Sequence, residues 1–63
     1  MKVGDRIKVT HEYAIFTGCE GYIVEVESDG SYLVDLYKGN DTITEDEINE
    51  YYVYFTDKEL ELI

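Results

Sequence analysis

The chain lacks proline and tryptophan, and its 63 residues include one cysteine, one histidine and only five lysine or arginine side chains. Each shortage excludes something. A lone cysteine forms no intrachain disulfide, whereas small secreted domains generally depend on several, so Cys19 points to a reducing compartment. No apolar run approaches the roughly 20 residues needed to cross a bilayer, and the N-terminus lacks the apolar block of a signal peptide. A cytoplasmic location is expected. Serine occurs only as Ser28 and Ser31, and neither they nor Cys19 stand beside His11 in the sequence. Nucleophilic catalysis needs a nucleophile, a base and an orienting group around a substrate site. A domain of this size seldom encloses the pocket of roughly 300 Å³ or more that a substrate requires. We therefore expect no enzyme, with no catalytic or cofactor-binding residues.

What remains is acid and aromatic. Fifteen aspartates and glutamates against five cations give a formal charge of -10. The distribution is uneven: Lys2, Arg6 and Lys8 outweigh Asp5 in residues 1–11 for a net of +2, leaving -12 for the rest. Such a field disfavours nonspecific nucleic-acid binding, which depends on cations neutralising phosphates, and favours basic partners. With 44% hydrophobic residues and nine aromatics, seven of them tyrosine, the chain can nevertheless build a core. Its length suffices for one domain, near the lower size at which chains fold unaided, as a monomer of modest stability or a small oligomer.

Ile7 and Val9 alternate with Arg6, Lys8 and Thr10, the period-two signature of a strand over residues 3–10. Residues 11–18 read as an irregular loop carrying Tyr13, Ile15 and Phe16. A second strand runs from Tyr22 to Glu27, and Ser28-Asp29-Gly30 supplies turn residues that tolerate positive φ. The third strand then puts Tyr32, Val34 and Leu36 on one face and Leu33, Asp35 and Tyr37 on the other. Asn40-Asp41-Thr42 matches a glycosylation sequon, but without a secretion signal it reads as a turn. Thr44 and Glu47 make a capping box flanked by Ile43 and Ile48 as a hydrophobic staple, so a short helix is expected to start at Thr44. From about Tyr51 the β-preferring run Tyr51-Tyr52-Val53-Tyr54-Phe55 takes over. Residues 56–59 read as a tight turn before a last strand, Leu60 to Ile63.

This order of elements resembles the Src homology 3-like barrels, in particular KOW-type domains and the small barrels of that kind in bacterial and bacteriophage proteins. The carrying residues are Gly4-Asp5-Arg6-Ile7-Lys8-Val9, Gly18, Gly21 with Ile23 and Val26, and Val53-Tyr54-Phe55 with Glu59-Leu60-Glu61. The resemblance implies an all-β, five-stranded barrel with a short acidic helix or turn inserted between strands 3 and 4. KOW-type domains act on ribosomes, RNA or transcription complexes through basic loops. Here Glu12, Glu20, Asp29 and the acidic helix occupy the loops instead.

Alternation sets Tyr52 and Tyr54 opposite Val53 and Phe55, so if the latter pair fills the core, the two tyrosines face outward. Exposed aromatics rimmed by charge are typical of protein interfaces. The candidate partner-binding set is accordingly Tyr13, Phe16, Tyr37, Glu45, Asp46, Glu47, Glu50, Tyr52 and Tyr54, and the expected partner is a protein with a basic surface. The acids from Asp41 to Glu50 do not fit the Asp-x-Asp-x-Asp-Gly spacing of calcium loops, so no metal site is expected. A sharper version makes the chain a nucleic-acid mimic, with Glu25, Glu27, Asp29 and the acids of 41–50 standing in for phosphates. The alternative is a KOW-like nucleic-acid or ribosome-binding module using Lys2, Arg6 and Lys8.

Overall fold

A computed structural model describes residues 1–10, 15–48 and 52–63. Five antiparallel strands, β1 (Arg6–Val9), β2 (Glu20–Val26), β3 (Tyr32–Lys38), β4 (Tyr52–Phe55) and β5 (Leu60–Leu62), form one sheet in the order β4-β3-β2-β1-β5. The last strand returns to pair with the first, Val9 opposite Leu60 and Ile7 opposite Leu62. β4 and β5 are the edges of this sheet, and no ladder joins them among the described residues. A helix, α1 (Glu45–Ile48), lies between β3 and β4, and a 3-10 turn over Asp57–Glu59 links β4 to β5.

The alternation of β1 is realised: Ile7 and Val9 are fully buried while Arg6 and Lys8 are exposed. The strand is nevertheless shorter than residues 3–10, because a turn holds its start. Asp5 N–H donates to the Lys2 carbonyl at 3.1 Å, and the Lys2 N–H donates to Asp5 Oδ2 at 2.9 Å. Val34, Leu36, Ile23 and Phe55 join Ile7 and Val9 in the core, with Cys19 and Leu60 closing it.

The β2–β3 hairpin turns on Asp29 and Gly30. Asp29 Oδ1 accepts from the Ser31 N–H at 2.9 Å and its hydroxyl at 2.6 Å, and Gly30 takes φ +90°, a conformation that costs a side-chain-bearing residue more. Within this hairpin Ile23 pairs with Val34 but Glu25 pairs with Leu33, leaving Val24 as a bulge. The extra residue has a consequence for charge. Uninterrupted alternation from the buried Ile23 would aim Glu25 at the core; the bulge turns it to the outer face with Leu33.

The helix starts where its local chemistry dictates. Thr44 accepts from Glu47 N–H through Oγ1 at 3.4 Å and from Ile48 N–H through its carbonyl at 3.0 Å. Ile43 and Ile48, at the two staple positions, are both buried in the shared core, so α1 covers the core side of β3. Asn40 ties this connection to the first loop. Its Oδ1 accepts from the N–H groups of Thr42 and Ile43, both at 2.8 Å, while Nδ2 donates to the carbonyls of Ile15 (2.9 Å) and Thr17 (2.8 Å). The sequon is thus a turn, as its residues suggest, and also a clamp. In the Thr-x-x-Glu run that ends the β4–β5 connection, Glu59 Oε1 accepts from the Thr56 N–H at 2.7 Å and shapes the 3-10 turn.

Candidate partner-binding face

Side chains directly opposed in antiparallel strands share a face, so the register assembles the outer surface row by row. One row crosses four strands: Tyr52 of β4 opposes Asp35 of β3, Asp35 opposes Tyr22 of β2, and Tyr22 opposes Arg6 of β1. A second row sets Tyr54 opposite Leu33 and Leu33 opposite Glu25. Tyr52 is 62% exposed and Tyr54 55%, the outward position that follows from Phe55 being buried.

The two ends of this face differ. Towards β1, charge is internally balanced. Lys38 opposes Glu20, Glu20 opposes Lys8, and Lys8 opposes Glu61. Glu20 lies 3.6 Å from the Arg6 guanidinium and 3.5 Å from Lys38 Nζ. Arg6 Nε donates to the Tyr37 hydroxyl at 3.1 Å, which in turn donates to Glu20 at 3.4 Å. The hydrogen bond to Tyr37 is the foremost cause that raises the Arg6 pKa. Tyr37 also leans on Tyr22, with ring centroids 5.0 Å apart. Its hydroxyl is therefore committed to the sheet's own network.

Towards β4, acid is unrelieved. The charge of Glu27, then a hydrogen bond to it, then partial desolvation, and last the charges of Glu25 and Asp29, all push the Tyr54 phenol above its ordinary pKa. Tyr54 walls a shallow open hollow with Glu27, Ser28, Asp29 and Ser31. Asp29 itself is held below the usual carboxylate range by the Ser31 hydroxyl and N–H. The described ion pairs both end on Glu20, away from this corner.

The sequence-derived set is therefore divided. Tyr52, Tyr54 and Tyr37 share the outer face. Phe16 is half-buried on the core side, its ring edge-on to Phe55 at 6.1 Å. Glu45, Asp46 and Glu47 are exposed on α1, which also belongs to the core side. Tyr13 and Glu50 lie outside the described residues. Tyr22 and Asp35, central to the face, were absent from that set. Only strand register brings them between Tyr52 and Arg6.

Burial pushes the Cys19 thiol pKa up, disfavouring the reactive thiolate, and the Ser31 hydroxyl is spent on Asp29. Among the described residues no group of three or more histidine, cysteine, aspartate or glutamate side chains is placed to hold a metal ion. Nor is any of their helices long and apolar enough to cross a membrane. The chain matches no protein-family model, no curated protein and no solved structure.

Proposed function

We propose that this chain is a non-enzymatic protein-binding module, an adaptor or inhibitor, whose outer sheet face receives a basic partner protein. The observation that carries the reading is the β4 corner: two rings more than half exposed, Tyr52 and Tyr54, set among Asp35, Glu25, Glu27 and Asp29. Tyrosine supplies a large apolar surface with a polar tip, and acids accelerate encounter with a positive surface. Such a surface also suits imitation of a nucleic acid, with Glu25, Glu27 and Asp29 replacing phosphates. The scaffold is read as a Src homology 3-like barrel left open between β4 and β5, a reading supported by the return of the last strand to the first.

Nucleic-acid binding of the KOW kind has less support. Of the cations on β1, Arg6 is engaged by Tyr37 and Glu20, and Lys8 sits between Glu20 and Glu61. Affinity capture from cell lysate at low and high salt tests the proposal. Wild-type protein should retain basic proteins at low salt, and Tyr52→Ala/Tyr54→Ala should lose them. Equal retention by the double variant, or no basic protein at low salt, would refute it. A gel shift with RNA and DNA at low salt tests the rival reading; no complex at tens of micromolar protein, inside the nonspecific range of about 1–100 μM, ends it.

A further inference from the structure

The hydrogen-bond phase of the sheet identifies which backbone groups point off its β4 edge. Ile23 N–H donates to the Asp5 carbonyl at 3.0 Å, and the Ile23 carbonyl accepts from Gly4 N–H at 2.8 Å, so the polar groups of Ile23 face the β1 side. Backbone direction alternates along a strand, so Tyr22 faces β3, where Asp35 opposes it. Asp35 therefore faces β2, and Val34 and Tyr32 face β4. Their partners Val53 and Phe55 receive that side of the ladder. The N–H and C=O groups of Tyr52 and Tyr54 are left pointing away from β3, along an edge that no described strand covers.

An open edge of this kind is a template for another strand. A second copy of this chain is disfavoured as its occupant, because β4 against β4 would bring Glu25, Glu27, Asp29 and Asp35 of two molecules together. Opposite charge is what fits. We propose that the partner binds by strand addition: an extended segment with basic residues at alternate positions pairs with β4 through the backbone of Tyr52 and Tyr54. Its basic side chains lie on the outer face beside the two tyrosine rings and Glu27. This mode rests on the basic-partner reading above and makes it specific, because the same rings and acids that attract the segment also set its facing.

The probe is a synthetic octapeptide of alternating lysine and threonine, with alternating glutamate and threonine as control, followed by amide hydrogen exchange of the full chain at low salt. At saturating lysine peptide, exchange at the Tyr52 and Tyr54 amides should slow about tenfold or more, while Val53 and Phe55, already paired with β3, change little. The glutamate peptide should leave all four unchanged. Two variants separate backbone from ring. Tyr54→Thr removes the ring and keeps the N–H, whereas Tyr54→Pro removes both at a position where edge-strand proline is tolerated. Proline should abolish the slowing at Tyr52 and threonine should only weaken binding. If the lysine peptide binds, by salt-dependent shifts at Glu27 and Tyr54, without slowing either amide, strand addition is overturned and the basic-partner reading stands. If it causes no shift at all at low salt, both fall. Misfolding of the proline variant leaves the wild-type exchange result decisive.

Discussion

Replacing Asn40 with alanine removes four hydrogen bonds that join the first loop, the β3–α1 connection and the start of the helix. Two are donated by Nδ2 to the carbonyls of Ile15 and Thr17, and two are accepted by Oδ1 from Thr42 and Ile43. A typical intramolecular hydrogen bond contributes about 1 kcal/mol net, so four set a ceiling of ~4 kcal/mol. Three of the four are solvent-exposed, and the freed backbone groups there regain water, which brings the expected loss to about 2 kcal/mol. For a domain of this size that corresponds to a fall in Tm of roughly 8–16 °C. Asn40→Asp refines the test. It keeps the two accepted bonds but sets a carboxylate oxygen against two carbonyl oxygens, so the folded state raises its pKa. Its penalty should be full above that raised folded-state pKa and shrink as pH falls through it towards the ordinary carboxylate value, where protonation restores a donor. Urea and thermal unfolding of the three proteins at pH 7 and pH 4 provide the assay. An alanine variant within about 0.5 kcal/mol of wild type, or an aspartate variant whose penalty does not fall with pH, would refute the clamp.

Other outcomes follow from the same geometry. A Cβ on Gly21 would stand 2.5 Å from the Asp35 carbonyl and 2.8 Å from Val34 Cγ1, so Gly21→Ala should shift the urea midpoint down by the equivalent of about 1–3 kcal/mol; an unchanged midpoint contradicts the packing. Ile48→Ala empties a fully buried staple position and should cost about 2–5 kcal/mol, enough to unfold much of a 63-residue domain by circular dichroism. Tyr54 should ionise at higher pH than a free tyrosine when its ring resonances are followed by NMR, and Glu27→Gln should lower that midpoint. Because the folded-state pKa is the raised one, Tyr54 contributes stability below the ordinary tyrosine pKa that is lost as pH rises through the folded value. A midpoint unmoved by Glu27→Gln would remove Glu27 as the cause.

The parts of the fold legible in the sequence are those set by short-range rules. Alternation placed Ile7, Val9, Val34 and Leu36 inside, Asp29-Gly30 marked the hairpin, and Thr44 with Glu47 marked the helix start within one residue. The exposure of Tyr52 and Tyr54 followed from the same alternation once Phe55 was assigned to the core. What escaped depends on long-range register. Asn40 reads as a turn residue, and nothing within a few positions reveals that Ile15 and Thr17 come within reach of its amide. The Val24 bulge reverses the facing of Glu25, which simple alternation cannot anticipate. Phe16 carries no period at all in an irregular loop, so its position against Phe55 on the core side, away from the tyrosines, had no local signal. The acids of α1 were adjacent to the tyrosines in sequence but not on the same face, because Ile43 and Ile48 anchor the helix to the core.

The most direct measurement on the outer face is site-specific photo-crosslinking in lysate, with benzoyl-phenylalanine placed in turn at positions 52, 54 and 3. Val3 is also exposed but precedes the sheet, which makes it the control position. Adducts with basic proteins are expected from positions 52 and 54, lost at high salt, and none of them from position 3. Equal labelling from all three positions, or adducts at 52 and 54 that are indifferent to salt, would contradict binding at this face.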